Sequence, residues 1–252
     1  MLRGPCSAQP LDLLGCYEAP VRAVALGGGS QAKAPRLTVF AAASLTNVLP
    51  RIDRHARYSF GGSNLLAAQI QQGLPADVFA SADTKLPWRL HREGLVTRPV
   101  VFTANRLVLV VADGNPLHLR GVRSLRRPGL RIVMAATGVP VGDYTRIVLR
   151  RLGLSDLVGK AVSQETDVRE VLAKFVLGEA DAGFVYATDA KTVAGKVSVL
   201  RLPPASQPRV LYAAAALEGS RQLKAAKAWV ERLRSRRAQR QLRAAGFLPP
   251  AR

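Results

Sequence analysis

Between residues 37 and 217, short apolar runs alternate with stretches of helical spacing, and that alternation restricts the chain to an α/β architecture. The run Leu37-Thr-Val-Phe-Ala-Ala-Ala-Ser-Leu-Thr-Asn47 shows the unit in miniature. Leu37, Val39 and Phe40 read as a short strand, three alanines make a small-residue turn, and Ser44 is a residue that favours a helix N-cap. Tyr58-Ser-Phe60 is the next strand; Gly61-Gly-Ser-Asn64 then leads into a helix at residues 65–70. A buried strand within residues 75–83 precedes a helix over 85–93 that Gly94 closes. Residues 106–111, Arg-Leu-Val-Leu-Val-Val, are strongly β and long enough to cross between two lobes. Strands at 130–134, 182–186, 197–202 and 210–217 follow, with helices from Pro140 to Leu152, over 167–177 and over 220–245. Alternation of this kind predicts parallel sheets covered by helices.

The 252 residues suffice for one large domain or two of roughly 100–150 residues each. No run approaches the ~18 apolar residues that a membrane span needs, so the body is expected to be soluble. A formal charge of +20 invites a nucleic-acid reading. The basic residues are nevertheless spread along the chain, and the densest group (Arg232, Arg234, Arg236, Arg237, Arg240, Arg243) alternates with Trp229, Val230, Leu233 and Leu242. That is the wet face of an amphipathic helix, so no nucleic-acid partner is expected.

Catalytic chemistry has little to work with. The only cysteines, Cys6 and Cys16, precede the body, which therefore has no disulfide, thiol nucleophile or thiolate metal site. His55, His91 and His118 are scattered without metal-ligand spacing, and Asp77, Asp83, Asp181 and Asp189 sit at strand ends, where capping roles are the default. No enzyme activity and no cofactor are expected. Residues 1–34 lack periodicity and read as a leader or a disordered N-terminal segment; Ala32-Lys33-Ala34 fits a small-x-small cleavage site, although Glu18, Pro20 and Arg22 break the apolar stretch an export signal requires. Gly27-Gly-Gly29 has no preceding strand and is not a dinucleotide loop.

Several element junctions share one chemistry. Ser44 follows the first strand and Ser63 the Gly61-Gly62 turn; Pro140 fits a first helical turn, which leaves the Val141 and Gly142 amides pointing outward; Asp167-Val168-Arg169 opens a helix; Tyr186 ends a strand. Helix starts carry unpaired N–H groups and about half a positive charge, so several converging would hold a desolvated dianion without any Lys or Arg.

These segments, with Phe60-Gly-Gly-Ser63, Pro75-Ala-Asp-Val-Phe-Ala-Ser-Ala-Asp83, Asn105-Arg-Leu-Val-Leu-Val-Val111, Val139-Pro-Val-Gly142, Val185-Tyr186 and the closing Ala244-Ala-Gly-Phe247, resemble in order the molybdate-binding proteins of bacterial molybdate ABC transporters, a type II periplasmic-binding-protein family. The resemblance covers about residues 36–248. It implies a periplasmic-binding-protein-like fold: two α/β lobes, residues 35–112 plus 205–252 and residues 113–204, joined by crossing strands with the ligand cleft between them. It implies molybdate or tungstate as ligand, molybdenum bound only as molybdate, a membrane permease of an ABC transporter as partner, a periplasmic location and a monomer. Carried over, Ser44 and Ser63 supply hydroxyl and main-chain N–H groups from one lobe, and Val141 and Val168 main-chain N–H groups with the Tyr186 hydroxyl from the other. A donor-only site suits a fully deprotonated anion, because a protonated phosphate would turn its O–H toward donors. Sulfate, another oxyanion, is the nearest alternative ligand; a non-transporting copy is the other alternative.

Three departures from the family pattern carry their own expectations. The link from Ser44 to Phe60 is shortened, and Pro50 falls inside a helix if Ser44 caps it, at a cost of about 3 kcal/mol beside the ligand serine. Ala135-Ala136-Thr137 replaces Gly-Asp-Pro, and Val141 stands where alanine is usual, with a bulkier side chain that would crowd the pocket.

Overall fold

A computed structural model describes residues 36–250; the leader motifs and both cysteines lie outside the described residues. In chain order, β1 (Thr38–Ala42), α1 (Leu49–Ile52), β2 (Arg57–Gly61), α2 (Ser63–Gln71), β3 (Val78–Ser81), α3 (Lys85–Arg92) and β4 (Val100–Asn105) build the first lobe. The second comprises β5 (Leu107–Ala112), β6 (Ile132–Ala135), α4 (Pro140–Arg151), β7 (Ala161–Glu165), α5 (Val168–Val176), β8 (Ala182–Tyr186), α6 (Ala187–Thr192) and β9 (Val197–Leu200). The chain then returns to the first lobe through β10 (Val210–Ala216), α7 (Leu223–Arg232) and α8 (Arg236–Ala245). Each lobe contains a five-stranded sheet, ordered β2-β1-β3-β10-β4 and β7-β6-β8-β5-β9.

The sheets are mixed, not parallel as the alternation predicts. β1 runs parallel to β2 and β3, while β10 runs antiparallel to β3 and β4. In the second sheet β6 is parallel to β7 and β8, and β5 is antiparallel to β8 and β9. The antiparallel strands are those next to the inter-lobe passages, which no helical crossover reverses. The first passage is Arg106 alone, between Asn105 at the end of β4 and Leu107 at the start of β5. The run expected to cross between lobes therefore lies wholly in the second sheet, and the switch falls before it, not after residue 112. Gln207, on the returning segment, ties the two passages together: its Nε2 donates to the Leu107 carbonyl at 2.7 Å and its Oε1 accepts the Leu107 N–H at 3.3 Å.

β1 shows how the pattern fixes the core. Val39 and Ala41 pack with Leu45 and Leu49 on one face, and Phe40, between them, packs with Leu66, Ile70, Phe79 and Leu90 on the other. Pro50 costs this lobe nothing. α1 starts at Leu49 rather than at Ser44, so Pro50 lies in its first turn, where no intrahelical N–H is needed. Shortening the segment leaves β2 in register with β1 along all its length, Thr38 opposite Arg57 through Ala42 opposite Gly61. The C-terminal arginines are exposed, while Trp229, Val230, Leu233 and Leu242 are buried, as the amphipathic reading requires. That stretch breaks into α7 and α8 where the Ser235 hydroxyl caps α8 by accepting the Ala238 N–H at 3.3 Å.

Candidate functional site

All five residues singled out as oxyanion ligands, Ser44, Ser63, Val141, Val168 and Tyr186, line one cavity at the meeting of the lobes. Ala42, Ala43, Gly61, Gly62 and Ala82 complete the wall of the first lobe, and Val139, Pro140 and Asp167 that of the second. The cavity is small, with about 10 Å³ of room for the centre of a water-sized sphere. No Lys, Arg or His among the described residues lines it.

Each of the five owes its position to a different local device. Ser44 does not cap a helix. It sits within a 3-10 turn, Ala43–Leu45, whose N-cap is Ala42, because the chain turns directly off the end of β1. That turn frees its hydroxyl, which lies 2.9 Å from the Tyr212 hydroxyl. Ser63 is the first residue of α2, with Gly62 at the N-cap. Its Oγ accepts the Ala82 N–H at 3.1 Å, so its own proton is left to donate elsewhere. Glycine is required at position 62: a Cβ there would lie 2.3 Å from the Thr166 carbonyl oxygen of the other lobe.

In the second lobe, Pro140 occupies the first turn of α4, and Val141 follows with an amide that no intrahelical carbonyl can reach. The helix packs tightly on the end of β6, since a Cβ on Gly142 would meet the Ala136 and Ala135 carbonyl oxygens at 2.2 and 2.5 Å. The Val141 side chain is 1% exposed and packs into the core cluster while the residue lines the cavity. At α5 the Asp167 carboxylate accepts the Arg169 and Glu170 N–H groups at 2.6 and 3.1 Å. Val168 is thus the first-turn residue whose amide the cap leaves free. Asp167 is the one charged residue of the lining, and its burial pushes its carboxyl above the usual range against the pull of the Glu170 and Arg169 amides.

Tyr186 carries the clearest signal. It ends β8 fully enclosed, and its hydroxyl is buried without a hydrogen-bond partner among the described residues. Leaving such a group unpaired costs about 1–3 kcal/mol, so it points to a ligand that accepts its proton. Burial, with Tyr212 next in effect, raises the Tyr186 phenol well above its ordinary value, so it remains a donor. Its ring meets that of Tyr212 edge-on at 5.8 Å.

Sequence reasoning missed the layer behind the donors. Tyr212 and Asn105 are both buried: the Tyr212 hydroxyl lies 2.9 Å from that of Ser44, and Asn105 Nδ2 donates to Tyr212 at 3.4 Å. Only the position of Tyr212 in the alternation of β10 was available to flag it, and alternation marks burial, not a polar task. Asp189 is also fully buried, 3.1 Å from the Arg169 guanidinium. Among the described residues no group of three or more His, Cys, Asp or Glu side chains has the arrangement to hold a metal ion.

Residues 37–248 match the family model described as bacterial extracellular solute-binding protein. The chain is 37% identical over 245 residues to the molybdate-binding protein ModA of Mycobacterium tuberculosis strain H37Rv, covering 90% of this chain and 93% of that one. It is 33% identical over 219 residues to ModA of Escherichia coli K12, covering 77% and 82%. Among solved structures, the periplasmic molybdate-binding protein of Azotobacter vinelandii superposes with a TM-score of 0.76 over 86% of this chain and 100% of that one, at 24% identity, a likeness of fold.

Proposed function

The chain belongs to the bacterial extracellular solute-binding protein family, and from that premise we propose that it captures molybdate or tungstate between its lobes for delivery to an ABC transporter. The observation that carries the reading is the buried Tyr186 hydroxyl, without a partner among the described residues, on a residue that lines one cavity with Ser44, Ser63, Val141 and Val168, where no described cationic side chain stands. Three helix starts, those of α2, α4 and α5, and three hydroxyls present partial positive charge to a compact anion, and the mostly apolar wall strengthens each of those dipoles. Ser44 and Ser63 hold the anion from the first lobe; Val141, Val168 and Tyr186 close on it from the second. Molybdenum enters only as the oxyanion, and binding requires no other cofactor.

Every donor proton in the set needs an acceptor. A fully ionised tetrahedral oxyanion offers acceptors in all directions, whereas hydrogen phosphate wastes one direction on its own proton. Sulfate meets the same electronic requirement, so size alone must separate it from molybdate. The proposed partner is a membrane permease that reads the closed pair of lobes, with the protein acting as a monomer outside the cytoplasmic membrane.

Calorimetric titration with molybdate, tungstate, sulfate and hydrogen phosphate is the direct test. Saturable molybdate or tungstate binding that Ser63→Ala and Tyr186→Phe each weaken supports the reading. Sulfate binding tighter than molybdate, or indifference to both substitutions, overturns it.

A further inference from the structure

The hydrogen bonds behind Ser44 have a direction, and one backbone group sets it. Asn105 ends β4 beside the first inter-lobe passage, and its Oδ1 accepts the Arg106 N–H at 2.9 Å. A backbone N–H can only donate, so the amide oxygen is committed there and Nδ2 must face the other way. Nδ2 reaches two oxygens: Thr188 Oγ1 of the second lobe at 2.8 Å and Tyr212 Oη of the first at 3.4 Å. Tyr212 Oη therefore accepts from Asn105, and its single proton is left for the neighbouring oxygen, Ser44 Oγ at 2.9 Å. Ser44 Oγ in turn accepts, which leaves its own proton for the cavity that Ser44 lines.

We infer that Asn105 and Tyr212 are positioning residues that lock the Ser44 hydroxyl as a donor toward the bound oxyanion, making this wall of the site intolerant of a protonated ligand. The inference rests on the oxyanion reading of the cavity and adds the origin of its selectivity. Without the relay the Ser44 hydroxyl can turn its proton to Tyr212 and present a lone pair to the ligand, which is the acceptor that hydrogen phosphate lacks. The same amide binds Thr188 on α6, so the lock spans both lobes at the point where the chain passes between them.

Asn105→Asp is the sharp test, because it keeps the shape and the acceptor for the Arg106 N–H while replacing the donor. The Tyr212 proton then turns to the new carboxylate, and Ser44 is freed to donate to Tyr212. Calorimetry on the full chain should show molybdate affinity reduced about 10- to 100-fold, with the ratio of molybdate to hydrogen phosphate affinity narrowed. Tyr212→Phe, which introduces no charge and serves if Asn105→Asp fails to fold, should lose about 3- to 10-fold while narrowing the ratio less, because no oxygen remains there to take the Ser44 proton. A new charge acting directly on the anion is separated by a double-mutant cycle. In a Ser44→Ala background, Asn105→Asp should change affinity by less than about threefold if it acts through Ser44. An undiminished effect in that background, or wild-type affinity and selectivity in both single variants, overturns the relay. Should Ser44→Ala and Ser63→Ala weaken binding while Asn105→Asp and Tyr212→Phe do not, the relay falls and the pocket stands. Should Ser44→Ala and Ser63→Ala bind like the wild type, both fall.

Discussion

Gly62 of the first lobe and the Thr166 carbonyl of the second approach so closely that a methyl group on the glycine would lie 2.3 Å from that oxygen. The lobes thus meet through bare backbone at the rim of the cavity, one residue from Ser63 on one side and two from Val168 on the other. Gly62→Ala should prop the lobes apart without disturbing either sheet, since its φ of −59° suits alanine. Overpacking of this kind costs about 1–3 kcal/mol. Molybdate affinity should drop about 5- to 150-fold, and small-angle scattering should show that added ligand compacts the variant less than the wild type. An affinity equal to wild type would mean the lobes do not need this approach.

Tyr186→Phe should move stability and affinity in opposite directions. In the free protein it removes a buried hydroxyl with no partner among the described residues, so the melting temperature should hold or rise. With ligand it removes a hydrogen bond to a charged group, worth about 1.5–3 kcal/mol, or roughly 10- to 150-fold in affinity. A scanning-fluorimetry series with and without molybdate reads both effects at once.

Asp189 gives stability a slope against pH. Complete burial, only partly offset by Arg169, pushes its carboxyl up to about 7 from the ordinary 3.8. Between those values the folded chain holds a proton that the unfolded chain has released, so this residue's contribution to stability declines as pH rises through the window and levels off above it. Asp189→Asn should remove that decline. The difference in urea-unfolding free energy between the two proteins, followed from pH 4 to 8, checks the sign.

Asp53 anchors α7 to the shortened first-lobe segment. Its carboxylate accepts from Trp229 Nε1 at 3.0 Å and from the His55 N–H at 2.9 Å, and pairs with Arg232. Burial opposes its charge, but the His55 amide and Arg232 together hold its pKa below the usual value. That stabilisation is present above the unfolded-state pKa and lost as pH falls through the folded one. Asp53→Ala strands the buried Trp229 N–H and should cost about 1–3 kcal/mol in chemical denaturation at neutral pH. Molybdate binding should persist in the variant while it remains folded.

The residues of the α/β pattern were legible because their signals are local. Strand alternation around Phe40, the Pro140 first turn, the Asp167 cap and the Gly61-Gly62 turn each announce themselves within a few positions. β4 and β7 were missed. β4 precedes the stronger run in β5 with only Arg106 between them, and β7 alternates half-buried with exposed residues too weakly to stand out. Pro50 misled because a first-turn proline and an interior one differ only by where the helix begins, and Ser44 looks the same in sequence whether it caps a helix or follows a strand into a 3-10 turn.

Local spacing and residue type alone thus determined that small residues and hydroxyls would follow the strands; the family resemblance, carried residue by residue, singled out the five proposed donors. The tertiary structure decided the rest: that the switch between sheets falls at Arg106, that β10 returns antiparallel and brings Tyr212 to Ser44 across 168 positions of sequence, and that Asn105 orients them both. Helix caps and turns are read by neighbours in the chain, whereas the direction of a buried hydrogen bond depends on partners that only the folded sheets bring within 3.5 Å.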